Sequence, residues 1–566
     1  MFSNIAIVSK NKASNMCINW KGATSFGNFY RSDPCLDLFY KRNPRTLGDF
    51  LFPRERKNLR FSTLKKSGKL RRRLQPPSSL QHILDKGNEF EATTLQRIRA
   101  LYSNRLEFFG NSVSFAQSTK NYSKTFNAMK RGDVDIIIHG VVRNYTTQTY
   151  GCPDLIVKGK AMYKLGVHTP VNNDKYYAVD IKGSKIELKV GGGIINDYKM
   201  AGYKSQLLIY ALCLNEMQND HTDTQAFILG KEYAFSSGTK FQSHQMTATA
   251  NFDTHDKPYI QILNNAIDWL NWVDMYGNDP NAVYKKKEYM FPNMKNTFNM
   301  SYGSLKEQYA EHIDEITRMW NVGPGMRNVA ISKNIFKLED VKSIRDLGLQ
   351  PGCFKSRIIQ KMLDSRENDR IMTIPVMNNV MNWRTRNVGD NKEEWVLDIE
   401  TVDDTIYMIG ILTPHRYVCL TADALDSDGE KGILTELIMM MEKKDLKIWT
   451  WGHYDYTTIT RKIAMYSMCL PSAMWCDVTR VLKDGDHPIV VKGALGFGLK
   501  EISSILSNTE IPDMYDGLDC KDGMTSMGMA RDAYNNNDWD TMEKLIGYNK
   551  ADCYTVNNII EYMRAQ

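Results

Sequence analysis

The apolar residues of this chain come in short runs, and that shortness limits its folds more than any other feature. Runs such as Ile136-Ile137-Ile138 and Tyr407 to Leu412 span three and six residues, far below the ~18 needed for a membrane-crossing helix. Runs of this length, rich in β-branched residues and bounded by polar turns, suit buried strands. Apolar positions three and four apart between them suit helices. An α/β chain without a membrane helix is expected. At 566 residues it also exceeds a single core, since cores stop growing near ~250–300 residues, so two or three domains are expected.

Four zones follow from the pattern. Residues 1–80 are basic, broken by Pro44, Pro53, Pro76 and Pro77, and without a sustained apolar period, which predicts a mostly unfolded leader. Residues 81–295 alternate between helix and strand: a helix from Leu80 to Leu101, strands at Val134–Val142, Asp154–Val157 and Tyr176–Ile181, and a helix from Tyr198 to Leu214. Residues 296–385 read as a helical linker, with Leu338, Val341, Ile344 and Leu347 near helical spacing. From 386 to 566, strands at Trp395–Ile399, Tyr407–Leu412 and Tyr417–Leu420 come first. A helix Gly432–Glu442, a strand Leu446–Trp451, a further helix and a closing helix Trp539–Met563 follow. This order predicts a second α/β domain. No repeat of 20–50 residues and no G-x-x-x-x-G-K-[ST] loop is present, which excludes a P-loop motor.

The charge is +8, yet Lys41 to Arg73 alone hold thirteen Lys or Arg against Asp49 and Glu55. That local excess of eleven leaves the rest of the chain at −3. Such a segment would draw in a polyanion through counterion release, or serve as an import signal. The ten cysteines form no C-x-x-C pair, which disfavours zinc ribbons and disulfide frameworks and points to buried reduced thiols. The first ten residues lack a secretory signal's basic and long apolar segments, so an intracellular protein is expected, nuclear or cytoplasmic. Organellar import is an alternative, because residues 1–40 are Ser/Asn-rich and poor in acids.

Two acids at a fixed spacing arise by chance about seven times in a chain this acidic, so Asp398-Ile399-Glu400 matters only because it ends a strand. There a period of two sets both carboxylates on one face, where they can share a metal. Asp455 follows another strand and opens a helix. Tyr548 and Asp552, at i and i+4, share a face of the last helix. Paired divalent ions need several anionic oxygens around them. In this order Asp398, Glu400, Asp455, Tyr548 and Asp552 resemble the DEDD superfamily of ribonuclease H-like 3′–5′ exonucleases. Tyr548 matches the tyrosine branch, because Gly547 stands where the histidine branch places its base. The segment Gly493 to Ile502 also looks like that family's. The run Trp451-Gly452-His453-Tyr454 departs from it by lacking the usual Asn, and Asp477 is a rival third carboxylate.

In the first α/β domain, Pro153-Asp154 opens a strand and Asp180-Ile181-Lys182 ends another. Two carboxylates would hold a divalent ion while the ammonium orients or helps deprotonate water. With Glu91 on the preceding helix and Gln206 and Tyr210 on the following one, this set resembles the RecB-like PD-(D/E)xK nucleases. The resemblance implies metal-binding by Glu91, Asp154 and Asp180, catalysis by Lys182, and substrate contact by Gln206 and Tyr210. At the C-terminal site it implies that Asp398, Glu400, Asp455 and Asp552 hold two Mg²⁺ or Mn²⁺ ions, with one or two at the N-terminal site. Asp133, Asp135 and Gly191-Gly192-Gly193 read as strand-edge and turn residues.

The function so implied is a divalent-metal nuclease acting on nucleic acid, DNA before RNA, in repair, replication or processing. Two other readings stay open: an exoribonuclease whose first domain only binds, and a non-catalytic nucleic-acid-binding adaptor. No membrane partner is expected, and the sequence names no protein partner.

Overall fold

The computed structural model describes residues 20–51, 78–102, 106–108, 119–235, 240–242, 246–281, 285–384, 392–508, 510–520 and 522–566. The chain divides into two compact units, the first ending at Tyr309 and the second comprising residues 310–566 together with 76–80.

In the first unit the short helix α1 (Cys35–Arg42) precedes α2 (Ser78–Leu101), β1 (Leu106–Phe108), α3 (Thr119–Arg131) and β2 (Ile136–Ile138). Then come β3 (Leu155–Lys158), β4 (Tyr176–Leu188), α4 (Tyr198–Gln218), β5 (Gln225–Phe235), β6 (Lys240–Gln242), β7 (Ala248–Asn251) and α5 (Leu263–Tyr276). The mixed sheet runs β7-β5-β4-β3-β2-β1, with β6 against β5. β3 and β4 pair antiparallel, Leu155 opposite Val179, and β4 and β5 pair parallel. The all-apolar runs Ile136–Ile138 and Leu155–Val157 are fully buried, as central strands covered on both faces must be.

Three expectations need correction here. Residues 20–51 are folded rather than an unfolded leader: Phe26, Cys35, Leu36, Leu38, Phe39 and Phe50 have no exposed surface. One basic side chain there, Arg42, serves packing. The Arg42 guanidinium donates to the carbonyls of Gly277 at 2.8 Å and Asp279 at 3.0 Å, and also to that of Phe50. Asp37 accepts the Trp269 Nε1–H at 2.8 Å. The basic residues between 52 and 73 lie outside the described residues. Second, Val134–Val142 is not one strand. His139 turns the chain with a φ of 54°, and Val142–Asn144 joins Lys21–Gly22 and Thr149–Gly151 in a separate three-stranded sheet.

Third, the expected linker over 296–385 is not one: residues 296–309 belong to the first unit, and residues 310–384 contribute to the core of the second. Ile316, Leu338, Val341, Ile344, Leu347 and Trp383 are buried in one cluster with Val396, Trp449 and Val556. Leu338 to Leu347 lie in a 3-10 turn and irregular chain, so their helical spacing misled; the cluster buries them without a helix. After helix α6 (Phe354–Asp364) come β8 (Glu393–Val402), β9 (Thr405–Leu412), β10 (Tyr417–Thr421), α7 (Ser427–Met441), β11 (Leu446–Thr450), α8 (Tyr454–Met465) and β12 (Met474–Asp477). The unit closes with α9 (Leu499–Leu506), α10 (Gly523–Asn536) and α11 (Trp539–Ala565). Its sheet runs β10-β9-β8-β11-β12, antiparallel across the first three and parallel thereafter. Asp426 caps α7 through the Asp428 and Gly429 N–H groups, so that helix begins earlier than its apolar period suggested.

Nine described cysteines are unpaired thiols. Five of them are buried, and Cys353 and Cys469 are exposed. Among the described residues no helix is long and apolar enough to cross a membrane.

Candidate functional site

In β8, Trp395, Leu397 and Ile399 are buried in one cluster with Ile433 and Leu434 of α7 and Ile459 of α8. The alternate residues Asp398 and Glu400 therefore face away from those helices. On that side α11 presents Tyr548 and Asp552, one turn apart. Carboxylate oxygens of Asp398, Glu400 and Asp552 lie within 4.8 Å of one another. Asp455 arrives by another route. β11 pairs with β8 only from Glu393 to Val396; beyond it the Ile399 N–H donates to the Asp455 carboxylate at 3.2 Å. Glu400, Asp455 and Asp552 are 8%, 5% and 6% exposed.

Four acids so close, three of them buried and Asp398 half-buried, oppose their own ionisation. Burial drives Asp398 well above the usual carboxylate range, and Asp552, Asp455 and Glu400 add to it. Glu400 is pushed up to about 8, chiefly by burial, with the Asp552 charge reinforcing it and the Ser526 hydroxyl opposing. Burial also raises Asp455 to about 7 and lifts Asp552. A cation among these groups removes the conflict.

The carboxylates are held by residues that the sequence did not single out. Asn549, fully buried, donates from Nδ2 to Asp398 Oδ2 at 2.7 Å and accepts the Tyr417 hydroxyl at 2.8 Å. Gly410 makes room for it, since a Cβ there would sit 1.6 Å from Asn549 Oδ1. Ser526 donates to Glu400 Oε2 at 2.7 Å, and Tyr515 to Asp552 Oδ1. Lys500 donates from Nζ to the Tyr548 hydroxyl at 2.7 Å and lies 4.2 Å from that ring's centroid. Burial, then the charges of Asp552, Glu400 and Asp398, hold the Tyr548 phenol far above its ordinary range. Lys500 sits within the Gly493–Ile502 segment, so a signal for it existed. Ser526, Tyr515 and Tyr417 are brought in by tertiary structure alone. Asp477, the rival carboxylate, instead caps the following helix through Thr479 and Arg480 N–H and accepts from Gly452 N–H at 3.0 Å.

In the first unit the β3–β4 pairing sets Asp154 beside the DxK strand, and its Oδ2 accepts the Ile181 N–H at 2.6 Å. Lys182 Nζ meets Asp180 Oδ2 at 2.5 Å. Burial works against the Lys182 charge, but Asp180 and Asp154 outweigh it and hold the ammonium above its usual range. Burial, with Asp180 next, raises Asp154 well above the carboxylate range. Glu91 reaches the same place from α2, but its Oε1 lies 3.1 Å from Nε2 of His139, which sequence reading passed over. The atoms that come within 4.8 Å of one another belong to Glu91, His139 and Asp154; Asp180 is held by Lys182 outside that group. Gln206 Nε2 donates to the Tyr210 hydroxyl at 2.7 Å, which lies 3.4 Å from the Cys152 carbonyl. Tyr210 is only 3% exposed, so it braces the chain before Asp154.

Residues 395–564 match the RNase H superfamily. The C-terminal unit therefore contains an RNase H-superfamily domain, and all four of its converging carboxylates and Tyr548 fall inside the match. No curated protein matches the chain.

Proposed function

We propose that this chain is a divalent-metal-dependent nuclease. Its RNase H-superfamily domain trims 3′ ends, its first unit carries a separate RecB-like hydrolytic site, and DNA is its preferred substrate. The observation that carries the reading is the group of buried carboxylates around Asp398, on a superfamily domain whose members are usually nucleases. An oxygen-only set suits the hard ions Mg²⁺ and Mn²⁺, and the suppressed ionisation of Asp398 and Glu400 is what a site built around cations shows without them. Asp398, Glu400 and Asp552 would hold the ions, with Asp455 at their edge. The ions would polarise the phosphodiester and neutralise its developing charge.

The chain's own groups perform the rest. Tyr548 stays protonated, so it orients a water rather than deprotonating one. Because its oxygen already accepts from Lys500, its O–H remains to donate on the Asp552 side, which fixes the direction in which the phenol can hold a water. Asn549, Ser526 and Tyr515 each hold one carboxylate oxygen, so the acids cannot turn away from one another. In the first unit Lys182, kept charged by Asp180 and Asp154, supplies the cation that would meet a scissile phosphate.

The test is end-labelled single-stranded DNA and RNA with Mg²⁺ or Mn²⁺, and EDTA as control. Asp552→Ala should abolish stepwise 3′ trimming while Lys182→Ala leaves it intact and removes a second cleavage pattern. Unchanged trimming by Asp552→Ala would overturn the reading. Loss of all cleavage in both variants would overturn the independence of the two sites.

A further inference from the structure

We infer that His139 is a metal ligand of the first unit's site, giving it a mixed nitrogen–oxygen set that favours Mn²⁺ over Mg²⁺, unlike the all-oxygen site of the second unit. This rests on the metal-site reading of the first unit and names which residues and ion it involves.

Three observations meet at this side chain. First, its ring nitrogen and carboxylate oxygens of Glu91 and Asp154 lie within 4.8 Å of one another, close enough to share one ion after small side-chain rotations. Second, the backbone ties it to a proposed ligand: the His139 N–H donates to the Asp154 carbonyl at 3.0 Å. One irregular turn after β2 therefore sets the spacing of two ligands. Third, the ring is enclosed, its side chain 12% exposed, with the Phe108 ring 5.9 Å away. The backbone at His139 has a φ of 54° although Gly140 follows.

The remaining acid of the motif strengthens the case. Asp180 Oδ2 lies 2.5 Å from Lys182 Nζ and outside the group of three, so the imidazole is the further donor that the structure sets within reach of an ion held by Glu91 and Asp154. Mg²⁺ favours oxygen ligands and gives up its waters reluctantly, whereas Mn²⁺ accepts an imidazole more readily. In the absence of an ion the same ring bonds to Glu91 at 3.1 Å. Ion binding would exchange that hydrogen bond for coordination by the neutral ring.

The experiment uses the full chain carrying Asp398→Asn and Asp552→Asn, which silences the other carboxylate group. Mn²⁺ binding is measured by calorimetry, and the bound ion by pulsed electron paramagnetic resonance, which reads nitrogen coupling directly. A ¹⁴N coupling should be present, and His139→Gln should remove it, weaken Mn²⁺ binding by ~10-fold or more and leave Mg²⁺ binding within about threefold. If Asp154→Asn weakens Mn²⁺ binding but His139→Gln does not, or if bound Mn²⁺ shows no nitrogen coupling, the histidine's part is overturned while the site stands. If neither substitution matters, the metal-site reading of the first unit falls as well. Should His139→Gln fail to fold, the nitrogen coupling in the parent chain decides alone.

Discussion

Replacing Glu400 by Gln tests whether the carboxylate group around Asp398 stores electrostatic strain that a cation relieves. Its carboxyl rises from 4.5 to about 8. At ~1.4 kcal/mol for each tenfold change in ionisation, holding it charged in the metal-free fold costs up to about 5 kcal/mol. Water penetration and rearrangement trim that figure, and about 2–4 kcal/mol is the expected scale. Because the folded carboxyl keeps its proton to about pH 8 and the unfolded one loses it near 4.5, the folded state binds more protons between those values. Metal-free stability should therefore fall as pH rises through that window. Gln keeps the shape and the acceptor oxygen for Ser526 but removes the charge. Glu400→Gln should unfold at higher urea than the parent at pH 8.5 in EDTA, match it near pH 4.5, and gain less from added Mg²⁺. Equilibrium urea unfolding at both pH values, with and without 5–10 mM Mg²⁺ (on the order of typical assay concentrations), measures all three. A variant less stable than the parent at both pH values would refute the strain argument, because Glu400 would then be contributing as a charged group.

The remaining predictions concern its supports and the N-terminal segments. Lys500→Met and Tyr548→Phe should each slow trimming, and their combination should cost ~1–3 kcal/mol less than the sum, since both remove one hydrogen bond; strict additivity would separate the two residues. Gly410→Ala should expel Asn549 from Asp398 and, at ~1.5–3 kcal/mol for a hydrogen bond to a charged group, slow trimming ~10–100-fold; parent-like rates would show that Asn549 is dispensable. Deleting residues 1–51 should leave the first unit unable to fold, because Phe39, Phe50 and Arg42 belong to its interior, as limited proteolysis would report. Replacing Lys65, Lys66, Lys69 and Arg71 to Arg73 by Gln should instead keep the fold and flatten the slope of log affinity against log salt, by up to ~0.9 for each phosphate no longer neutralised. An unchanged slope would assign that run to import.

Periodicity fixed what it physically encodes. The buried strands and the long helices α2, α4 and α11 were legible because an apolar period of two or 3.6 records which faces are covered. The facing of Asp398 and Glu400, and the pairing of Tyr548 with Asp552 on one helix face, follow from that same geometry. Sequence could not show where apolar residues without a period go. Residues 20–51 lack such a period and fold because distant segments cover them, while the helical spacing of Leu338 to Leu347 is met by a distant cluster that buries them without a helix. Site partners follow the same division. Asp398, Glu400 and Asp552 were visible as acids on ordered elements, whereas Ser526, Tyr515 and His139 are ordinary polar residues until tertiary structure sets them beside a carboxylate, and Tyr417 until it meets Asn549. Local sequence determines which way a side chain faces along its own strand or helix. Only packing between elements decides what it meets, because burial energy depends on the partner surface and not on the segment that supplies it.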